Sequence, residues 1–241
     1  MTLAPPQEIG HRDGLAYAVF RPPGPTSGGV VILHGAGSAK ESHYDFARAA
    51  RAQGIAAVAF DQRGHGDSPG QLDGRALTDV ATMSALLAPG PIALRGSSMG
   101  GYLALAAARD LRPRAVVAIC PAESDQLRRA LRRDELGFMA DEPALTRLLE
   151  AHSAMEAVSV LDSALLLMHA EGDERVPVEH SRRLMAAART PEKRLITLPG
   201  GHHRSVQHDP ELQAYSVRFL VRALAGQPPL GRLPEGPRGL A

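Results

Sequence analysis

The chain has 241 residues, a formal net charge of +1, 44% hydrophobic residues and 22% charged residues. That is enough apolar side chain for one sizeable α/β core, and the charge balance argues against a nucleic-acid or anionic-membrane binder. The lone Cys120 rules out an internal disulfide and fits a reducing compartment. Residues 1–10 lack the basic start and apolar run of a secretory leader. No apolar run approaches the ~20 residues of a membrane span, so a cytoplasmic protein is the expectation.

Short apolar runs alternate with helix-length amphipathic stretches. Residues 15–20 read as a strand closed by Pro22-Pro23-Gly24-Pro25, and 30–33 as a second strand leading into His34-Gly35-Ala36-Gly37. A helix is predicted over 41–53, stopped by Gly54, then a strand over 55–60 and a helix over 77–87 before Pro89-Gly90. Next come a strand at 92–94, a helix at 99–109 and a strand at 115–119. Strands at 165–168 and 195–198 flank a helix at 178–188, and a last helix spans 210–224.

Uninterrupted apolar strands between helices imply a mostly parallel sheet covered on both faces. With right-handed crossovers, this gives a doubly wound α/β/α sandwich of three layers. Two stretches break the alternation. Residues 122–162 are too long for one crossover and read as a short helical cap or lid insertion within a single domain over 1–225. Residues 226–241 are rich in Pro and Gly and read as a flexible tail.

In such sheets ligands bind beyond the carboxyl ends of the strands. There, Gly96-Ser97-Ser98-Met99-Gly100 fits Gly-x-Ser-x-Gly on a predicted strand–turn–helix. The glycines free space for a sharp turn that projects the Ser98 hydroxyl near a helix N-terminus, where negative charge is favoured. An activated serine needs a base, and the base an orienting carboxylate. Asp173 follows the strand at 165–168, and His202 and His203 follow the strand at 195–198, in the order Ser, acid, His. Adjacency leaves the two histidines inseparable by spacing, and Glu171 and Glu174 flank Asp173 as alternative acids.

Four motifs together resemble small α/β-hydrolases of the esterase, lysophospholipase and serine-aminopeptidase type: His34-Gly35-Ala36-Gly37, Asp61-Gln62-Arg63-Gly64-His65-Gly66-Asp67-Ser68, residues 96–101, and Gly172-Asp173-Glu174-Arg175-Val176-Pro177. The resemblance implies catalytic Ser98, Asp173 and His203, with the backbone amides of Ala36 and Met99 as an oxyanion hole. It favours His203 over His202, makes Asp61 and His65 architectural, and offers Asp125 as a fallback acid. The implied reaction is hydrolysis of a small or medium carboxylic ester through an acyl-enzyme. A peptidase, thioesterase or acyl transferase with the same residues is the enzymatic alternative, and a non-catalytic binding protein of this fold the other.

Cys120 has no elbow and no base near it in sequence, and reads as a buried structural thiol. The ten histidines form no metal-binding pattern. No dinucleotide or phosphate loop occurs either, so neither metal nor cofactor is expected. Arg128, Arg129, Arg132 and Arg133 read as a solvated helix face.

Overall fold

The structure, a computed structural model, describes residues 4–87 and 89–227. Its centre is an eight-stranded sheet. The strands are β1 (Glu8–Arg12), β2 (Leu15–Phe20), β3 (Gly28–Leu33), β4 (Ile55–Phe60), β5 (Ile92–Ser97), β6 (Ala115–Ile119), β7 (Ala164–Ala170) and β8 (Lys193–Leu198). They lie in the order β1-β2-β4-β3-β5-β6-β7-β8. β2 runs antiparallel to β4, and all strands from β4 to β8 in that order pair in parallel.

The apolar runs predicted from sequence became the inner strands, because residues buried on both sheet faces need not alternate. The exception is the run at 195–198, which became β8 at the sheet edge, where most of its residues are only half-buried. The helices are α1 (Tyr44–Ala52), α2 (Ala76–Ser84), α3 (Met99–Leu111), α4 (Ser124–Arg132), α5 (Glu142–Ala151), α6 (Ala154–Ser159), α7 (Val178–Ala187), α8 (Ser205–His208) and α9 (Pro210–Leu224). Val80 and Met83 of α2, the alanine-rich α3 and Leu184 of α7 pack on one face of the sheet. Phe46 and Ala47 of α1 and the apolar stripe of α9 pack on the other. The result is the expected three-layer sandwich. The two helices predicted at 41–53 and 77–87 each include a short 3-10 turn, at Lys40–His43 and Ala85–Leu87.

β1 is a strand that the apolar-run reading does not contain. It is an edge strand, with Ile9 68% exposed, paired only with β2 through an Asp13-Gly14 turn in which both residues have positive φ (53° and 80°). That is the backbone shape an Asp-Gly hairpin supplies.

Strand order places the site. After β3 the chain crosses to β4 on one side, then returns past β3 to β5 on the other. The loops leaving β3 and β5 therefore diverge at their carboxyl ends and open a crevice between them, the usual ligand position in such sheets. Residues 122–162 join β6 to β7 and carry α4, α5 and α6. This insertion is tied down by a bridge between Leu72 and Ala140 and by the Tyr102 hydroxyl donating to the His152 carbonyl at 2.6 Å. Among the described residues, no helix is long and apolar enough to cross a membrane. Most of the predicted tail lies outside the described residues.

Candidate active site

Ser98 sits between β5 and α3 with φ 54° and ψ −119°. L-residues rarely adopt this backbone, and the surrounding structure must hold it. The turn is pinned by the Ser98 amide donating to the Ile119 carbonyl (2.8 Å) and by the Tyr102 and Ala122 amides donating to the Ser98 carbonyl (both 3.1 Å). Two glycines of the motif are sterically required. A Cβ on Gly96 would fall 2.0 Å from the Gly100 carbonyl oxygen, and one on Gly100 would fall 2.4 Å from that of Leu33.

The loop after β3 passes close behind Ser98, since a Cβ on Gly35 would lie 3.2 Å from Ser98 Cβ. Burial lowers the His34 pKa to about 4, so its ring is neutral near pH 7. Its Nδ1 donates to the Gly35 carbonyl (2.8 Å) and its Nε2 accepts from the Gln62 amide (3.0 Å). Among the described residues, neither the Ala36 nor the Met99 amide donates to a protein acceptor. Met99 opens α3, where helix N–H groups have no intrahelical partner.

The same loop is stapled by charge. Buried Lys40 donates through its backbone N–H to Asp61 Oδ1 (2.7 Å) and through Nζ to Asp61 Oδ2 (2.8 Å), and Asp67 lies 2.7 Å from Nζ. Lys40 and Asp61 are 3% and 0% exposed. Lys40→Met leaves Asp61 buried without its counter-charge, and is expected to cost about 3–5 kcal/mol. Urea unfolding checks this; a loss under about 1 kcal/mol would show that the pair does not hold the loop.

β7 and β8 continue their pairing past their ends. Glu171 N–H donates to the Leu198 carbonyl (2.9 Å) and Gly172 N–H to that of Gly200 (2.8 Å). Gly172 accommodates this closeness, as a Cβ there would lie 2.4 Å from the Gly201 oxygen. The clamp brings Asp173 to His203, whose Nδ1 lies 2.7 Å from Asp173 Oδ2. Asp173 Oδ1 accepts from the amides of Arg175 (2.8 Å) and Val176 (2.9 Å). Burial alone would raise the Asp173 carboxyl, but hydrogen bonding to His169, His203 and these two amides outweighs it and holds the group well below the usual carboxylate range.

Ser98, His203 and Ala36 line one cleft of about 80 Å³. His202 is exposed and turned to loop structure, its amide donating to Ser205 Oγ and its Nδ1 accepting from the Arg204 amide. Asp125 is exposed, 3.8 Å from Arg128, and is absent from the residues lining the cleft. Glu171 lies 3.7 Å from Arg182, and Glu174 accepts from the His203 amide at 3.0 Å. Neither competes for the imidazole. Arg128 also meets Glu150 at 3.3 Å, while Arg129 and Arg132 on α4 and Arg133 just past its end are exposed.

Two contacts escaped the sequence. His169, fully buried near the end of β7, lies 3.3 Å from Asp173 Oδ2 while bonding Ser181 Oγ and the Val176 carbonyl. Cys120 has no base near it in sequence, yet the fold brings the Cys120 sulfur, an Asp173 carboxylate oxygen and a His203 ring nitrogen within 4.8 Å of one another. The distance in sequence misled, because β6 and β7 are neighbours in the sheet. Burial pushes the Cys120 thiol up, which keeps it protonated.

Residues 30–157 match the model of the alpha/beta hydrolase family. An uncharacterized protein of Mycobacterium tuberculosis is 30% identical over an alignment of 220 residues that covers 84% of this chain and 74% of that one. The monoacylglycerol lipase of Paleococcus ferrophilus has a similar fold, with a TM-score of 0.68 at 23% identity over 88% of this chain and 98% of that one. Ferulic acid-bound Est1E from Butyrivibrio proteoclasticus matches with a TM-score of 0.68 at 21% identity, over 90% and 99% of the two chains. With the family model covering more than half of the sequence, this chain belongs to the alpha/beta hydrolase family.

Proposed function

We propose that the protein is a serine hydrolase that cleaves a carboxylic ester through an acyl-enzyme. The observation that carries this is the 2.7 Å Asp173–His203 hydrogen bond in the loops that border the cleft holding Ser98. With Nδ1–H donated to Asp173, the Nε2 lone pair of His203 is free to take the Ser98 proton as Oγ attacks the ester carbonyl. Asp173 fixes the ring and stabilises its charged form. The Ala36 and Met99 amides receive the oxyanion, and preorganised donors of this kind are worth several kcal/mol of barrier. His203 then returns the proton to the leaving alcohol. Water, activated by the same imidazole, attacks the acyl carbonyl, and collapse of the second tetrahedral intermediate restores Ser98 and releases the acid. None of these steps calls on a metal or cofactor. The similar fold of a monoacylglycerol lipase supports an ester as the substrate class.

A fluorophosphonate probe tests the nucleophile directly, because it phosphonylates only an activated serine. The wild type is expected to be labelled at Ser98, and Ser98→Ala to stay unlabelled. Equal labelling of the variant, or none of the wild type, overturns the assignment.

A further inference from the structure

The side chains around the cleft say what kind of ester fits it. Beyond the nucleophile and base, its walls include Ser38, Ser42, Arg175, Arg204, Gln207 and His208. Among the described residues that line it there is no carboxylate, and no aliphatic side chain larger than the alanine of Ala36. The apolar side of the elbow is closed. There Met99, Tyr102 and Leu103 meet Leu127, Leu145 and Leu149 of the 122–162 insertion around only about 10 Å³ of space. A long hydrocarbon chain finds no room on that side and no apolar wall on the other.

The two arginines are short of partners. The Arg204 guanidinium makes no hydrogen bond or ion pair among the described residues. Arg175 has a single ion pair, to Glu174 at 3.9 Å, with both side chains more than half exposed. By contrast, Arg63, Arg75 and Arg182 each sit within 2.7 Å of a carboxylate oxygen. Asp173, whose side chain is buried, already accepts from His203 and two amides. Arg204 follows the base and Arg175 lies two residues beyond Asp173, on loops clamped by the extended β7–β8 pairing. Arg175 and Arg204 therefore line the same cleft as Ser98, and the planar guanidinium fork matches a carboxylate with two parallel hydrogen bonds.

We propose that the ester hydrolysed here carries a carboxylate, bound by Arg175 and Arg204 at the mouth of the cleft. This rests on the serine-hydrolase reading above and narrows its substrate class to short anionic esters. Serine and glutamine at the cleft wall supply further neutral donors. Two positive charges beside the reaction centre also raise the encounter rate with an anion, an effect that salt weakens.

Two matched pairs test the inference and tell which side of the ester bears the charge. One is 4-acetoxybenzoate against methyl 4-acetoxybenzoate, with the charge in the leaving group. The other is 4-nitrophenyl hydrogen adipate against 4-nitrophenyl methyl adipate, with the charge in the acyl group. In at least one pair, kcat/KM is expected to favour the carboxylate by about tenfold or more. That ratio is expected to fall towards one in the Arg175→Gln/Arg204→Gln double variant, and to shrink in the wild type as sodium chloride is raised. The wild-type salt series stands even if the double variant folds poorly. Turnover of the neutral esters with no preference for their charged partners, or a preference that survives both the double substitution and salt, overturns the inference and leaves the hydrolase reading intact. Failure of both fluorophosphonate labelling and all ester turnover removes the two together.

Discussion

Replacing His203 with glutamine is expected to lower kcat/KM for any ester the protein turns over by about 10⁴-fold or more, the scale seen when the base of a serine nucleophile is removed. Glutamine can keep a hydrogen bond to Asp173, but it has no nitrogen that accepts a proton at neutral pH. His202→Gln is expected to change the same ratio by less than about threefold, because an exposed loop residue outside the proton path acts only through local structure. The asymmetry follows from geometry. His203 Nδ1 is 2.7 Å from Asp173 Oδ2, whereas His202 Nδ1 accepts the Arg204 amide at 3.3 Å. Steady-state kinetics on both variants, with circular dichroism to verify folding, decide the matter. A large loss in His202→Gln with little in His203→Gln would exchange the two roles.

The histidine pair also shows where the sequence was legible. Strands buried on both faces appear as apolar runs, so the order of elements and the strand ends that carry Ser98, Asp173 and His203 could be read without coordinates. Buried polar side chains cut those runs short. β5 continues from Leu94 through Arg95 to Ser97. Arg95 is fully buried, stacked 3.9 Å over the Phe46 ring with Nη1 3.1 Å from His43 Nδ1. An arginine inside a core strand looks like a strand end when only hydropathy is counted. β7 likewise runs on through His169. Partnerships across the sheet were hidden for a different reason. Lys40 and Asp61 are 21 residues apart and join only because β3 and β4 are parallel neighbours whose carboxyl ends lie together. The cationic rim was similarly invisible, since Arg175 and Arg204 acquire a shared cleft only through the β7–β8 clamp.

Asp173→Asn is expected to lower kcat by about 10⁴-fold with the fold preserved, the size of effect that follows when the base is held in the wrong tautomer. The carboxylate uses Oδ1 for the amides of Arg175 and Val176, and Oδ2 for His203. An asparagine has one acceptor oxygen. If that oxygen stays on the two amides, the new NH₂ group faces His203 Nδ1 as a donor, and the ring must move its proton to Nε2, which can then no longer accept the proton of Ser98. If the amide flips, the exposed Arg175 N–H turns to water while the Val176 N–H, in a half-buried bond, loses its acceptor, at a cost of about 1–3 kcal/mol. Either way the base is lost or the loop loosened. The wild-type carboxyl also contributes to acid stability. Its pKa is held well below the usual range in the fold, so its contribution is present above the unfolded value near 4 and is lost as pH falls through the depressed folded value. The variant has no such group, and its stability is expected to decline less between about pH 4 and pH 2 than that of the wild type. A kcat within about tenfold of wild type, together with an unchanged acid limb, would remove Asp173 from the proton path and reduce its four contacts to loop architecture.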